Sequence, residues 1–303
     1  MPPAVADTLI ILNFMTGNTT SILKSYNNPM ETSERGYNNY RLPVPIAFED
    51  VFSHFYFAEN KTGQSITKTL LPSYQTIMVF SFGTTPSLIS QQGTKIEVEK
   101  CLVLGPIKQE LNYTLPVDAE ILVANFKDDA FYRFFGNAFL FDHLPIHPDE
   151  LLEENCFTNL WFALQKINNS EERVNFILEF CKPYLRNRNA TTELLSNVTN
   201  DGISPIKEIA VKTGQSERNI QLNHKKHFGY SAKEKSRYLR FIKAVETVQR
   251  IASSSSKADW FEVIDQCGYY DQSQLIHDFR HFLNLSPTKF LKFQQDICQA
   301  KPE

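Results

Sequence analysis

The chain has 303 residues, enough for two domains that each bury a core of their own, and a formal net charge of −3. Its five cysteines are widely spaced and form no C-x-x-C pair. This spacing argues against a disulfide framework and a zinc site and favours a reducing compartment. Because the first residues lack the pattern of a secretion signal or a membrane span, the sequence predicts a cytoplasmic protein with no membrane partner.

The charge is divided unevenly along the chain. Residues 1–200 carry a net charge of −7, and residues 201–303 carry +4. Within the second part, residues 203–257 carry +8 whereas residues 258–303 carry −3. An excess of Lys and Arg attracts phosphate groups, so residues 203–257 are the part expected to bind a polyanion.

The N-terminal half has the texture of a β structure. Residues 1–45 are rich in Asn, Ser, Thr and Pro without a sustained hydrophobic period, which predicts an extended lead-in. Residues 46–147 contain short aromatic and β-branched runs separated by Gly and Pro. The runs cover residues 51–57, 65–71, 76–83, 95–105 and 120–126. Such runs predict the antiparallel strands of a barrel or sandwich, with 95–105 as one alternating strand.

Residues 148–186 predict a helical hairpin. The first helix is expected over 149–166, and the second after Ser170 as its N-cap, with Pro183 ending it. The second helix would present one apolar face, formed by Val174, Ile177, Leu178 and Cys181. The hairpin could pack against the strands or form the seam of a homodimer. A polar linker is expected over 187–202.

Residues 203–303 contain two copies of one sequence pattern. Each copy has a short helix, a turn with Gly214 or Gly268, and a second helix that begins after Ser216 or Asp271. The predicted elements are a helix-turn-helix over 204–230, a connecting helix over 231–252 and a second helix-turn-helix over 259–285. Further helix starts are indicated by Ser204-Pro205, by the capping boxes that open at Ser231 and Asp259, and by Ser286-Pro287.

Two helix-turn-helix motifs in one chain predict double-stranded DNA as the partner. The connecting helix of roughly 20 residues would be about 30 Å long. This is close to the length of one turn of B-DNA, about 34 Å. A single chain could therefore place two recognition helices in successive major grooves and bind an asymmetric site.

The C-terminal pattern resembles the AraC/XylS family of bacterial transcription regulators. The residues that carry the resemblance are Ile209-Ala210, Gly214, Ser216, Lys225-Lys226, Phe228-Gly229, Ser231, Arg240, Ala244, Gly268-Tyr269, Asp271-Gln272-Ser273, Phe279-Arg280 and Ser286-Pro287. They cover about the last hundred residues. The resemblance implies an all-α DNA-binding domain over 203–303.

The resemblance also implies which side chains contact base edges. These are Arg218, Asn219, Gln221, Leu222, Gln272, Ser273, Gln274 and His277. Leu222 and His277 stand where the family often has Arg, so a two-pronged guanine contact is missing at both. Leu222 could contact a thymine methyl instead. Two further departures are His224 in place of a usual core Phe and Asn284 in place of a usual Gly.

A second group of side chains is expected at the DNA phosphates. It consists of Ser216, Lys225, Lys226, Lys235, Arg237, Arg280 and His281. The basic residues could instead form only the solvated face of their helices, but that alternative does not explain the local charge of +8 over 203–257. Arg240 is expected to be structural.

The N-terminal domain is similar to the cupin-like sensor of one AraC-type subgroup, on residues 78–83, 104–107 and 121–136. This likeness implies a small-molecule effector or dimerisation. Candidate residues for an effector pocket are His54, Tyr56, Phe80, Phe82, Phe126 and Tyr132. The aromatic cluster from Phe131 to Phe141 is first of all expected as core, and it could also line an apolar effector pocket. His54 is expected as a core or pocket residue and not as a base.

The metal-binding pattern of cupins, with a His-x-His pair, is absent from the sequence. His143 and His147 have a spacing that would suit a metal on a helix, but Pro145 and Pro148 predict a turn there. The sequence therefore predicts no metal, no cofactor and no catalytic residues.

The fold expected is a two-domain α+β structure, with an antiparallel barrel or cupin-like domain followed by an all-α domain. The function expected is regulation of transcription, controlled by an effector or by dimerisation, with RNA polymerase as a partner if the protein is an activator. Two alternatives stay open. One is an enzyme tethered to DNA that uses the barrel, and the other is a regulator whose N-terminal domain binds only protein.

Overall fold

The computed structural model describes residues 36–89, 93–138, 145–152, 154–196, 205–253 and 259–299. The chain divides into two compact units, and the boundary lies between Ala232 and Lys233. The unit before the boundary contains all described strands and the first helix-turn-helix motif. In the described residues after it, the second unit contains helices, including the second motif. The predicted grouping of residues 203–303 as one domain stays a prediction.

The strands of the first unit form two antiparallel sheets. They are β1 (Tyr37–Leu42), β2 (Phe52–Asn60), β3 (Ile66–Leu70), β4 (Ile77–Gly83), β5 (Ser87–Ile89), β6 (Lys95–Glu97), β7 (Cys101–Leu104), β8 (Leu111–Leu115) and β9 (Ala119–Phe126). The larger sheet has the order β1-β2-β9-β4-β7, and the smaller sheet has the order β3-β8-β5-β6. The predicted antiparallel strands are confirmed, but in the described residues the two sheets stay separate and do not close into one barrel.

The larger sheet is apolar on both faces, as strand alternation shows in β4. Met78, Phe80 and Phe82 belong to a core shared with the helices that follow the sheet. Ile77 and Val79, which alternate with them, are also buried but lie outside that core. This second face is covered by the smaller sheet. Contacts between the sheets include the side-chain amide of Asn60 on the Leu115 carbonyl at 2.8 Å, and Lys68 Nζ at 5.1 Å from the Tyr37 ring centroid.

The first unit also contains seven described helices, and the second unit contains α9 to α11 and nearly all of α8. They are α1 (Ala130–Phe135), α2 (Pro148–Leu152), α3 (Cys156–Leu164), α4 (Ser170–Cys181), α5 (Ala190–Ser196), α6 (Pro205–Thr213), α7 (Glu217–Phe228), α8 (Ala232–Ser253), α9 (Trp260–Cys267), α10 (Gln272–Leu283) and α11 (Pro287–Gln299). Short 3-10 turns cover Ile46–Phe48 and Lys182–Tyr184. The predicted helical C-terminal part is therefore confirmed.

Three N-terminal expectations need correction. The lead-in over 1–45 contains strand β1, which pairs with β2 along its whole length. The run 95–105 is two strands, because the chain leaves the smaller sheet after Glu97 and enters the larger sheet at Cys101. Between them, the Val98 backbone N–H donates to the Pro86 carbonyl at 3.0 Å. Residues 130–135, which the strand texture included, form helix α1 instead.

The helix expected over 149–166 is interrupted. It begins as α2 and starts again as α3, whose first turn is capped by Asp149 rather than by a neighbouring residue. The Asp149 carboxylate accepts the backbone N–H groups of Phe157 at 2.7 Å and Thr158 at 3.0 Å. Because this cap comes from a residue seven positions before the helix, no local signature announces it.

The second helix of the hairpin, α4, agrees with the sequence except at its cap. Asn169, not Ser170, is the N-cap, and its side chain accepts the N–H groups of Glu171 and Glu172 at 2.8 and 3.1 Å. The predicted apolar face is buried, and the helix ends just before Pro183. The stretch interpreted as a linker, 187–202, contains helix α5.

The second unit has an aromatic core. Phe241 of α8 lies 5.3 Å from Phe279 and 4.6 Å from Phe282 of α10, measured between ring centroids. Phe290 of α11 lies 5.7 Å from Phe279. Phe241, Phe279 and Phe282 are fully buried. This core holds α8 and α10 together and leaves the remaining face of α10 to solvent.

Candidate nucleic-acid interface

The first motif is α6, a tight turn and α7. Gly214 in the turn has a φ of +65°, and a Cβ built there would meet nothing within 4 Å. Backbone conformation, not space, therefore favours glycine at this position. Ser216 is the N-cap of α7, and its hydroxyl accepts the backbone N–H of Asn219 at 3.3 Å. Both features are as predicted.

The second motif repeats this construction with α9 and α10. Gly268 has a φ of +75° and also has open space around its Cα. Asp271 is the N-cap of α10 and accepts the backbone N–H of Gln274 at 2.8 Å. Asp259 caps α9 in the same way, through the N–H groups of Phe261 and Glu262.

The recognition helices α7 and α10 match in length and in both caps. Each has 12 residues and ends at a left-handed residue, Gly229 in the first copy and Asn284 in the second. Each of these residues donates its N–H to the carbonyl four positions earlier. Asn284 therefore does the work of the glycine that the family pattern places there, since Asn tolerates a positive φ better than most residues. The caps make Leu222 equivalent to His277, and Lys225 equivalent to Arg280.

Helix α7 presents its predicted base-contacting side chains to solvent. Arg218, Asn219, Gln221 and Leu222 are all exposed, and Leu222 is 59% exposed although it is apolar. The opposite face is buried and includes His224. The Nδ1–H of His224 donates to the Tyr230 carbonyl at 2.8 Å, which explains how a histidine is accommodated at a core position.

Helix α10 presents Gln272, Ser273 and His277, which are exposed in the same way. Gln274 differs because its side chain is half-buried and its Oε1 accepts the Tyr270 backbone N–H at 3.0 Å. The side chain of Gln274 thus supports the start of α10 through the residue before the N-cap, one position earlier than in a capping box. To contact a base it would have to give up that hydrogen bond.

Arg237 of α8 lies at the side of α10 in an ion-pair network. Its Nε donates to Asp278 Oδ1 at 2.6 Å, and its Nη2 donates to His277 Nδ1 at 3.0 Å. Arg240 donates to the other oxygen of Asp278 at 3.1 Å, and its guanidinium lies 4.5 Å from the Tyr269 ring centroid. Asp278 is buried, so the two arginines neutralise a carboxylate that could not stay charged alone. Arg240 has the structural place expected of it.

The residues expected at phosphates differ in their surroundings. Lys225, Lys226 and Arg280 are exposed. Lys235 is half-buried beside the Tyr238 ring, and Arg237 is held by Asp278. His281 is half-buried, and burial, assisted by Arg237, lowers its pKa, so it is neutral near pH 7. The hydroxyl of Ser216 is exposed but serves as a cap.

The C-terminal end of α7 is attached to the β-rich part of its unit. The His227 ring stacks on Tyr132 at 3.9 Å between centroids, and His227 Nδ1 lies 2.6 Å from Thr192 Oγ1. The Ala138 N–H donates to the Lys226 carbonyl at 3.1 Å. Burial lowers the pKa of His227. Thus Tyr132, predicted for an effector pocket, in fact supports the first recognition helix.

The other predicted effector residues do not surround one cavity. Phe80, Phe82 and Phe126 belong to the core on the helix side of the larger sheet. His54 and Tyr56 alternate along β2 with residues of that core, and so lie on the opposite face. These residues are separated because successive side chains of a strand point to opposite faces of the sheet. The aromatic composition of the runs does not show which face a side chain occupies.

A cavity of about 590 Å³ lies elsewhere, between β6, β7 and the beginning of α2 and α3. Cys101, His147 and Asp149 are among its lining residues. His147 Nε2 is 3.4 Å from Cys101 Sγ, and His147 Nδ1 accepts the Asp149 N–H at 3.3 Å. The Nε2 atom therefore carries the proton, and His147 cannot take one from the thiol. Burial raises the pKa of Cys101 to about 12, with Asp149 adding to the effect.

Two exposed aromatic residues of the second motif were not anticipated. Tyr270, just before the N-cap of α10, is 92% exposed, and Phe261 on α9 is 82% exposed. Their position next to a turn rich in polar residues gave no pattern that would single them out.

The part of the chain that the structure describes contains no group of three or more His, Cys, Asp or Glu suited to hold a metal ion. His143, half of the spaced histidine pair, lies outside the described residues. None of the described helices is both long and apolar enough to cross a lipid bilayer.

The fold and its exposed helices define an α+β protein with two antiparallel sheets and two helix-turn-helix motifs. No family model and no curated protein matches the chain. Solved structures of ToxT from Vibrio cholerae align with it at low similarity. One is 14% identical, with 86% of this chain and 99% of that chain covered and a TM-score of 0.37.

Two further ToxT structures contain a ligand. ToxT from Vibrio cholerae O395 bound to (E)-4-(8-methylnaphthalen-1-yl)but-3-enoic acid is 12% identical, with 86% of this chain and 100% of that chain covered and a TM-score of 0.37. Unsaturated fatty acid-bound ToxT from strain SCE256 is 11% identical, with 77% and 97% covered and a TM-score of 0.33.

Proposed function

We propose that the chain is a sequence-specific, double-stranded-DNA-binding regulator of transcription, of the AraC/XylS type. The observation that carries the proposal is the pair of 12-residue helices with matched caps, α7 and α10. Each exposes polar side chains in its first two turns that the packing of its own unit does not need. In a helix-turn-helix protein, the second helix enters the major groove and places such residues against base edges.

The exposed side chains suit the acceptors and donors of the major groove. Arg218 can donate two hydrogen bonds to a guanine, and Asn219 or Gln221 can pair with an adenine edge. Leu222 can contact a thymine methyl. On α10, Gln272, Ser273 and His277 have the same role, and Gln274 joins them only by releasing the Tyr270 N–H.

Phosphate contacts are assigned mainly to the first motif. The charge of +8 over residues 203–257 includes Lys225 and Lys226 on the exposed side of α7. On α10, Arg280 has the equivalent position. Arg237 and Lys235 could reach phosphates only after their present contacts rearrange. Sequence-independent affinity comes from such contacts and falls as salt rises.

The β-rich part of the first unit is the proposed regulatory element, through a small effector or a homodimer contact. Its support is the direct attachment of α7 to this part, through His227 on Tyr132 and Thr192. A ligand that displaces α1, which carries Tyr132, would also displace the recognition helix. If the regulator is an activator in a bacterial cytoplasm, RNA polymerase is a further partner.

The alternative of a DNA-tethered enzyme has one candidate array in the first unit, Cys101 with His147 and Asp149. Its geometry speaks against nucleophilic catalysis, because His147 already carries a proton at the nitrogen that faces the thiol. The raised pKa of Cys101 keeps sulfur in the unreactive thiol form at neutral pH. A regulator is therefore the better interpretation of the same fold.

The proposal is tested by selecting ligands for the full-length protein from random duplex DNA at moderate salt. We expect one enriched motif with two separated groups of preferred bases. Arg218→Ala should relax the preference at one base of one group, by about 1–3 kcal/mol, and leave the other group unchanged. The absence of any enriched motif would overturn the proposal, and an unchanged motif for Arg218→Ala would overturn its assignment of α7.

A further inference from the structure

The exposed imidazole of His277 is held in one orientation by a neighbouring helix. Its Nδ1 lies 3.0 Å from Arg237 Nη2. The guanidinium of Arg237 is itself fixed, because its Nε donates to the buried carboxylate of Asp278 at 2.6 Å. The side chain of His277 is nevertheless 72% exposed. This is an unusual combination, since a solvated histidine on a helix surface is ordinarily free to rotate.

The hydrogen bond also determines where the imidazole proton lies. A guanidinium has five N–H donors and no acceptor, so it can only donate to His277. Nδ1 must therefore offer a lone pair, and in the neutral ring the single proton is on Nε2. The Nε2–H is the remaining polar group of the ring. His277 consequently presents one donor, and no acceptor, to whatever α10 binds.

We infer that His277 is a specificity-determining residue, which recognises a base with a hydrogen-bond acceptor in the major groove, guanine, adenine or thymine, and rejects cytosine. This inference rests on the proposed function. Guanine offers N7 and O6, adenine offers N7 and thymine offers O4, whereas cytosine offers only its N4 amino donor. A lone donor therefore separates these bases, although it cannot make the two-pronged guanine contact of an arginine. Arg237 is the positioning residue.

The same network explains why Arg237 and not Arg240 has this role. Both arginines pair with Asp278, one on each oxygen. Only Arg237 also reaches His277. Replacing either arginine removes one ion pair from the same buried carboxylate, but only the Arg237 change releases the imidazole. The two replacements are therefore a matched pair for separating positioning from simple stability.

The first experiment needs no DNA. Imidazole nitrogen resonances of the ¹⁵N-labelled full-length protein near pH 8 report which nitrogen of each neutral ring carries the proton, and His277→Ala identifies the signals of His277. We expect an unprotonated Nδ1 and a protonated Nε2. Arg237→Met should restore a mixture of the two neutral tautomers, and the matched Arg240→Met should not. A proton on Nδ1 in the unmodified protein, or no effect of Arg237→Met in a folded protein, would overturn the inference.

The second experiment compares four duplexes that differ at one base of the selected motif. We expect the protein to bind the guanine, adenine and thymine duplexes about fivefold more tightly than the cytosine duplex, as one net hydrogen bond allows. His277→Ala and Arg237→Met should reduce this ratio to below about twofold at that base alone. Lys292→Gln removes an exposed positive charge from α11 and should leave the ratio unchanged.

The outcomes separate the inference from the proposed function. A protein that enriches no sequence at all overturns the proposed function, and the inference with it. An enriched motif in which His277→Ala changes no single base preference overturns the inference alone. Loss of preference at every base would also count against it, since His277 would then support the helix rather than recognise one base.

Discussion

Among single residues, His54 shows how burial determines charge in this protein. The side chain lies on β2 with Ser53 Oγ 3.0 Å from its Nδ1. Burial lowers the pKa of His54 to about 3, and the positive charge of Arg41 adds to the effect. The folded protein therefore keeps this ring neutral where an unfolded chain would protonate it, below a pH of about 6.5.

The sign of the resulting pH dependence follows from this difference. Above about pH 7 the ring is neutral in both states, so the folding free energy does not depend on its titration. As pH falls from about 6.5 toward 3, His54 is protonated in the unfolded state but not in the folded state. The free energy of unfolding therefore decreases by about 1.4 kcal/mol per pH unit. His227, whose pKa burial also lowers, contributes in the same direction.

We therefore predict that His54→Gln flattens the acid limb of the stability curve. The free energy of unfolding is measured with denaturant between pH 7.5 and 4.5, in a Trp260→Phe background. Fluorescence then reports Trp161, whose indole N–H donates to the Ser81 carbonyl at 2.8 Å in the first unit. Equal slopes for the variant and its parent would contradict a His54 that stays neutral in the folded protein.

At the scale of elements, the helix caps differ in how tightly they are surrounded. Gly229 after α7 and Gly268 after α9 have nearly the same φ, +77° and +75°. A Cβ at Gly268 would meet nothing within 4 Å, whereas a Cβ at Gly229 would lie 2.5 Å from the Ala138 carbonyl oxygen. The two positions thus share backbone strain and differ only in available space.

The alanine variants of these caps should separate the two effects. Gly268→Ala should cost about 1 kcal/mol, which is the strain of a left-handed residue with a Cβ. Gly229→Ala should cost about 3 kcal/mol, because the contact of Ala138 and Pro106 with the end of α7 must open as well. Denaturant unfolding of each variant measures the difference. Equal costs would mean that α7 is not closely attached to the β-rich part.

The elements also show what the sequence could predict. Glycines and short polar N-cap residues at fixed spacing predicted α6, α7, α9 and α10, because these signals are local in the sequence. Runs of aromatic and β-branched residues predicted β2, β3, β4 and β9. Strands β1, β5 and β8 were missed, since none of them contains a sustained aromatic or β-branched run and each is stabilised mainly by its neighbours in the sheet. The cap at Asp149 was missed because it lies outside the first turn of the helix that it caps.

For the candidate site, too, local features could be predicted and contacts between distant residues could not. Exposure of Arg218, Gln221 and His277 follows from helical periodicity and could be predicted. The pairing of Arg237 with Asp278 and His277 could not, because it joins residues about forty positions apart on different helices. The residues predicted for an effector pocket lie on both faces of the larger sheet, and composition does not tell which face of a sheet a side chain occupies.

For the whole molecule, charge and fold divide the chain at different places. The compact units meet between Ala232 and Lys233, at the start of α8. The positive charge continues across this boundary, since residues 203–257 carry +8 and residues 258–303 carry −3. Two motifs of the same construction therefore have unequal electrostatic roles, and the first should dominate attraction to phosphate.

This asymmetry is best tested in the intact chain. Cutting the chain after residue 256 would expose Phe241, whose packing partners Phe279 and Phe282 lie in α10. Substitution of exposed residues avoids that problem. Lys225→Gln with Lys226→Gln removes two charges from α7. The matched control, Arg280→Gln with Lys289→Gln, removes two exposed charges from α10 and α11.

Affinity for a duplex without the selected motif is then measured over a range of salt concentrations. Each lost phosphate contact lowers the slope of log K against log salt by about 0.9. We expect the first pair of substitutions to lower the slope by about 2, and the second pair by about 1 or less, because only Arg280 occupies a position equivalent to a proposed phosphate contact. Equal losses from the two pairs would show that both motifs bind the backbone alike, and a larger loss from the second pair would reverse the proposed order.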